Sequence, residues 1–94
     1  SLNYLRNLTL NTLKIDKSFI DEIPEQKDAN AVAKSIISLG HNLNLNVLAE
    51  GVESVEQLEF LKNSGCDQVQ GYYYSPPIQK KNIRKILEKV LKKD

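Results

Sequence analysis

The 94-residue chain is poor in several residue types, and each shortage argues against a class of protein. Its single cysteine, Cys66, cannot form an internal disulfide, which argues against a small secreted protein held together by disulfides. Four glycines and three prolines are too few for a collagen-like or low-complexity chain. A net charge of +1 argues against a generally basic protein that binds DNA or RNA.

Hydrophobic residues make up 40% of the chain, but they form no long runs. No run approaches the roughly 18 apolar residues that a membrane-spanning helix needs. The chain also does not open on a recognisable signal peptide. We therefore expect a small cytoplasmic α/β unit, and a membrane anchor upstream in a longer parent protein remains open.

Hydrophobic periodicity predicts alternating helices and strands. In the first predicted strand, Leu13 and Ile15 alternate with polar residues. Ser54 and Gln57 form an S-x-x-Q capping box, which predicts the start of a helix, and Gly65 predicts its end. Strict alternation indicates parallel strands joined by right-handed crossovers. The predicted strands are 12–16, 46–50 and 67–70; the predicted helices are 1–7, 18–23, one from an N-cap at Asp28, one from Ser54, and 80–92; residues 72–77 are predicted as a loop.

Charged or polar residues end all three predicted strands. In α/β folds, active sites gather at the carboxyl ends of strands, on the loops that lead into the next helix. A charge at a buried strand end is costly unless a partner compensates it, so three such ends predict a polar pocket. The candidate residues are Lys14, Asp16, Glu50, Glu53 and Gln70.

Each candidate also has a purely structural interpretation. Lys14 could pair with Asp16 or with Glu50, and Glu53 could be a charge favoured at a helix N-terminus. Gln70 and Gly71 could form a turn.

Other reactive residue types have structural interpretations as well. His41 is expected on the solvated surface, and Cys66 as a small buried residue. The tyrosines at 72–74 could stack on a ligand or pack on the rim of a barrel. The chain contains no glycine-rich phosphate loop, no H-E-x-x-H and no C-x-x-C motif.

Three motifs resemble the last motifs of the EAL domain family. They are KIDKSF at 14–19, AEGVE at 49–53 and QGY at 70–72, with Pro77 closing the pattern. The resemblance implies hydrolysis of the bacterial messenger cyclic di-GMP to linear pGpG. It also implies a TIM-like (β/α) barrel of about 250 residues, of which this chain would supply about three βα units with parallel strands. Residues 1–94 would then be the C-terminal fragment of a single EAL domain that lacks its N-terminal strands.

The resemblance also implies catalytic roles for four residues. Glu50 matches the glutamate that acts as general base or as a ligand of the second metal ion. Lys14 matches the lysine that holds the attacking water and the transition-state charge. Asp16 and Glu53 match supporting carboxylates. Two Mg²⁺ or Mn²⁺ ions would assist the reaction, but their other ligands belong to the missing strands, so the fragment alone is expected to be inactive.

Gln70, Gly71 and Pro77 match residues that bind the substrate in this family. At Pro76 the chain differs from many members, which carry a basic residue there, so a phosphate contact from this loop is not implied. The alternative is a degenerate EAL domain that only binds cyclic di-GMP or a protein partner. Open barrel edges also predict self-association of the isolated fragment.

Overall fold

A computed structural model describes residues 12–71 and 74–91. Within them, four strands form one sheet in the order β1-β2-β3-β4. The strands are β1 (Thr12–Ile15), β2 (Asn46–Val52), β3 (Gln68–Gly71) and β4 (Tyr74–Gln79). β1, β2 and β3 run parallel, as the sequence predicts, and β4 is antiparallel to β3.

Helices alternate with the parallel strands. They are α1 (Lys17–Ile20), α2 (Lys27–Asn42), α3 (Val55–Asn63) and α4 (Lys80–Leu91). The capping box at Ser54 is confirmed, because the Ser54 hydroxyl accepts a hydrogen bond from the backbone N–H of Gln57 at 3.1 Å. Gly65 follows α3 with φ of +87°, the conformation that commonly ends a helix. The α/β class with parallel strands is therefore confirmed.

The hydrophobic core lies between one face of the sheet and the helices. Ile15, Ala49 and Val69 are neighbours on adjacent strands, and all three are fully or almost fully buried. On the helical side, Ala33 and Ile37 of α2 and the leucines of α3 belong to the same cluster. The opposite face of the sheet is left for more polar side chains.

Two predictions about local structure are wrong. Residues 74–79, which include most of the predicted loop 72–77, form β4. Pro76 and Pro77 favour a loop because proline cannot donate to a strand ladder, but β4 is an edge of the described sheet, where prolines are tolerated. Asp28 is not the N-cap of α2: Gln26 occupies that position and Asp28 lies in the first turn.

The predicted helix at residues 1–7 lies outside the described residues. None of the helices that the structure describes has both the length and the apolar character needed to cross a membrane.

Candidate active site at the carboxyl ends of the parallel strands

Three of the predicted site residues lie on the face of the sheet opposite the core. The register pairs Lys14 with Leu48, and Leu48 with Gln68. Because successive side chains alternate between faces, Glu50 and Gln70 lie on this same face, two residues nearer the carboxyl ends of their strands. Lys14 is exposed, and Glu50 and Gln70 are partly exposed. The fold thus brings Lys14, Glu50 and Gln70 together on one accessible face.

A β-bulge sits at Glu50. Ala49 pairs with Val69 and Val52 pairs with Gly71, so β2 has two residues, Glu50 and Gly51, opposite Gln70. Gly51 has φ of +73°, which glycine adopts without strain. Bulges are frequent beside active sites, where they redirect a side chain. Here the bulge lies at Glu50, the residue predicted as general base or as a ligand of the second metal ion.

Gly71 lies in β3, so a turn at Gln70 and Gly71 is ruled out. A Cβ atom on Gly71 would collide with the carbonyl oxygen of Val52 and would lie 2.6 Å from its nitrogen. Only glycine allows β2 and β3 to approach this closely at the level of the bulge.

The Asp16 carboxylate caps α1 rather than pairing with a cation. It accepts from the Ser18 amide N–H at 3.0 Å and from the Ser18 hydroxyl at 2.7 Å. These hydrogen bonds lower the pKa of Asp16. Within the described part of the chain, no ion pair joins Lys14 to Asp16 or to Glu50, so neither of those structural interpretations holds.

Glu53 has a partner that the sequence did not reveal. The Lys17 ammonium lies 2.7 Å from Glu53 Oε1 and 2.8 Å from Asp21 Oδ1. The stem of Lys17 packs over Gly51, where a Cβ would collide with it. Lys17 therefore connects the segment after β1 with the segment after the bulge. The KIDKSF motif contains Lys17, but its spacing says nothing about a partner 36 residues away.

His41 and Asp67 form a second pair at the opposite end of the sheet. His41 Nε2 lies 2.7 Å from Asp67 Oδ2, which also accepts the Val47 amide N–H at 2.8 Å. His41 is exposed, as predicted, and its pairing with Asp67 is a contact that the sequence did not reveal. Cys66 is fully buried as predicted, and burial raises the pKa of its thiol to about 11.

A cleft of about 870 Å³ lies at the end of the sheet where the parallel strands begin. Its lining includes Lys62, Lys80, Lys81 and Arg84. It is remote from the bulge and is not part of the candidate site.

Pro77 lies in β4, beside the Ile78 that pairs with Val69, and its substrate-binding role stays a prediction. Tyr72 and Tyr73 lie outside the described residues.

The donor set does not amount to a complete metal site. Among residues 12–71 and 74–91, no three His, Cys, Asp or Glu side chains are grouped so that they could hold a metal ion. Glu50 alone offers one carboxylate, and divalent cations such as Mg²⁺ take several oxygen ligands. The described residues therefore do not fit two divalent ions without ligands from elsewhere.

Comparisons with known proteins agree with the motifs. The sequence model of the EAL domain family matches residues 1–77. The cyclic di-GMP phosphodiesterase NbdA of Pseudomonas aeruginosa is 47% identical over 78 residues, which cover 83% of this chain and 10% of that protein. The signaling protein YkoW of Bacillus subtilis is 46% identical over the same shares. The chain thus spans about a tenth of the length of these curated relatives.

Solved structures show the same fold. The structure described as "PaMucR Phosphodiesterase, c-di-GMP complex" superposes with a TM-score of 0.68 at 41% identity. The match covers 88% of this chain and 34% of that one. The polar strand ends, the three motifs and these matches lead to one conclusion: this chain belongs to the EAL domain family, whose fold is a TIM barrel.

Proposed function

We propose that this chain is the C-terminal part of an EAL domain that hydrolyses cyclic di-GMP to linear pGpG. The observation that carries the proposal is the placement of Lys14, Glu50 and Gln70 on one face, with Glu50 on a bulge. Relatives named as cyclic di-GMP phosphodiesterases support the substrate. About three βα units of the barrel would come from residues 1–94, and the remaining strands from the longer protein.

Glu50 and Lys14 have the chemistry that this hydrolysis needs. A carboxylate can take a proton from water. The water oxygen then bonds to phosphorus, the bond from phosphorus to the ribose 3′ oxygen breaks, and that oxygen takes up a proton to become a hydroxyl. The phosphodiester is already anionic, and negative charge builds up further as water attacks. A lysine ammonium on the same face can stabilise that charge. Gln70, beside the bulge, can hydrogen-bond substrate through its amide.

Asp16 and Glu53 act as supporting carboxylates in this proposal. Each is engaged by its own neighbours, Asp16 by Ser18 and Glu53 by Lys17, so each holds a segment at a strand end. Gly71 admits the close approach of β3 to the bulge, and Pro77 lies on the neighbouring β4. We place the domain in the cytoplasm because its proposed substrate is an intracellular messenger.

The isolated 94-residue chain is proposed to be inactive. Its described residues bring together no three side chains that could hold a metal ion, so we expect further ligands for the implied Mg²⁺ or Mn²⁺ ions to come from the rest of the protein. β1 and β4 form the two edges of the described sheet. Unpaired strand edges promote association, so we expect the isolated chain to self-associate. A monodisperse monomer in analytical ultracentrifugation would contradict this expectation.

Turnover of cyclic di-GMP by the full-length protein, measured in the presence of Mn²⁺, tests the proposal. We expect conversion to pGpG by the full-length protein and none by the isolated chain. Binding of cyclic di-GMP without hydrolysis would instead identify a degenerate, non-catalytic domain and overturn the proposal.

A further inference from the structure

Gln57 links the segments that follow two neighbouring strands. Its side chain is only 7% exposed, the one buried polar side chain in the described part of the molecule. Its Nε2 donates to the Ile20 carbonyl oxygen at 2.9 Å, at the end of α1. Its Oε1 accepts the amide N–H groups of Glu53 at 2.7 Å and of Ser54 at 3.2 Å. One side chain therefore ties the segment after β1 to the segment after β2.

Only an amide can make all of these contacts. The capping box needs an acceptor at this position, and glutamate serves there as well as glutamine. The Ile20 carbonyl oxygen, however, needs a donor, which an ionised carboxylate cannot provide. The two N–H groups and the carbonyl also fix which end of the amide is oxygen. The contact with Ile20 thus selects glutamine over glutamate.

Both linked segments carry predicted site residues. Ile20 ends the helix that Asp16 caps, directly after the strand of Lys14. Glu53 comes directly after the strand that contains Glu50 and the bulge. The Lys17–Glu53 ion pair connects the same segments, but both side chains are half exposed and open to screening by salt. The buried amide is the link that solvent does not weaken.

We infer that Gln57 is a positioning residue, which holds the bulge of Glu50 in register with the Lys14–Asp16 segment. This inference rests on the proposed function. Gln57 does not reach the substrate face itself, since it acts through the Ile20 carbonyl and the Glu53 amide. Its loss would displace the base and the lysine relative to each other, and small displacements of catalytic groups are costly in rate.

Three variants of the full-length protein separate positioning from helix capping. Gln57→Glu keeps the acceptor of the capping box and removes the donor to Ile20. Gln57→Met removes both interactions without burying a charge. Ser54→Ala removes the hydroxyl cap and leaves the link to Ile20. We expect Gln57→Glu and Gln57→Met to lower kcat about tenfold or more with little change in KM. Ser54→Ala should lower the melting temperature, while its kcat stays near that of the unsubstituted protein.

The outcomes distinguish this inference from the proposed function. An unchanged kcat in both Gln57 variants, with an active unsubstituted protein, would overturn the positioning role alone. A correctly folded but inactive unsubstituted protein would contradict the proposed function. The link itself is then tested by amide hydrogen exchange: Gln57→Met should speed exchange in residues 16–23, and unchanged exchange there would overturn the inference.

Discussion

The Lys17 ammonium lies 2.7 Å from Glu53 Oε1 and so joins two segments that are 36 residues apart in the chain. Asp21 completes the arrangement through both of its carboxylate oxygens, at 2.8 and 3.1 Å. The Asp21 and Glu53 carboxylates raise the pKa of Lys17. The stem of Lys17 packs against Gly51, so the ion pair lies beside the bulge, near the end of β2.

Lys17→Met should lower the melting temperature by a small amount that shrinks as salt is added. The pair is half exposed, and exposed ion pairs contribute little and are screened. Folding raises the pKa of Lys17. The stabilisation by its ion pairs is therefore fully present below the ordinary lysine pKa, and it is lost as pH rises through the raised pKa. Thermal melts at low and high salt measure the effect.

Lys27→Met is the matched control, because it removes one positive charge from an exposed lysine that forms no ion pair with another described residue. Equal, salt-independent effects of the two substitutions would contradict a role for the Lys17–Glu53 pair.

Gly71→Ala should lower the free energy of unfolding by about 2 kcal/mol or more, because the new methyl group would force β3 away from Val52. Gly65→Asn is the control. Gly65 has a positive φ that asparagine tolerates, and a Cβ atom there would meet only His41 Cε1, at the ordinary contact distance of 4.0 Å. Urea denaturation of both variants compares them. A Gly71→Ala protein as stable as Gly65→Asn would show that the sheet relaxes around the added methyl group.

Cys66 should make the protein less stable at high pH. Burial raises the pKa of its thiol from 9.0 to about 11. The folded state therefore keeps the proton longer than the unfolded chain, and stability falls between about pH 9 and pH 11, by up to about 3 kcal/mol.

The difference in unfolding free energy between the unsubstituted protein and Cys66→Ala isolates this effect, because contributions from tyrosine and lysine cancel. At neutral pH, Cys66→Ala should be less stable than the unsubstituted protein, because the substitution leaves a cavity. The difference in unfolding free energy between the two proteins should become smaller as pH rises. A difference that stays constant across this range would contradict the assigned cause.

Local signals made most of the fold predictable from the sequence. Leu13 and Ile15 alternate with polar residues, and the Ser54–Gln57 capping box satisfies backbone groups within one turn, so β1 and α3 need no distant information. β4 was missed because Pro76 and Pro77 favour a loop, whereas the pairing of Val69 with Ile78 depends on the assembled sheet.

Part of the candidate site could also be predicted from the sequence, and part could not. Lys14, Glu50 and Gln70 end or nearly end strands, and parallel topology brings such ends together without further information. The bonds from Lys17 to Glu53, from Gln57 to Ile20 and from His41 to Asp67 join residues far apart in the chain. Each residue alone has ordinary surface or capping chemistry, so its partner becomes visible only in three dimensions.

The central claim is that Glu50, set by the bulge, is the base that activates water against cyclic di-GMP. Its most direct test is the kcat of Glu50→Gln in the full-length protein, beside Glu56→Gln, an exposed glutamate in the first turn of α3. The amide keeps the size of the side chain but cannot take a proton, so we predict a loss of about 10² to 10⁴-fold in kcat with unchanged folding. Glu56→Gln should retain full activity. A Glu50→Gln protein that turns over cyclic di-GMP as fast as Glu56→Gln would contradict the account.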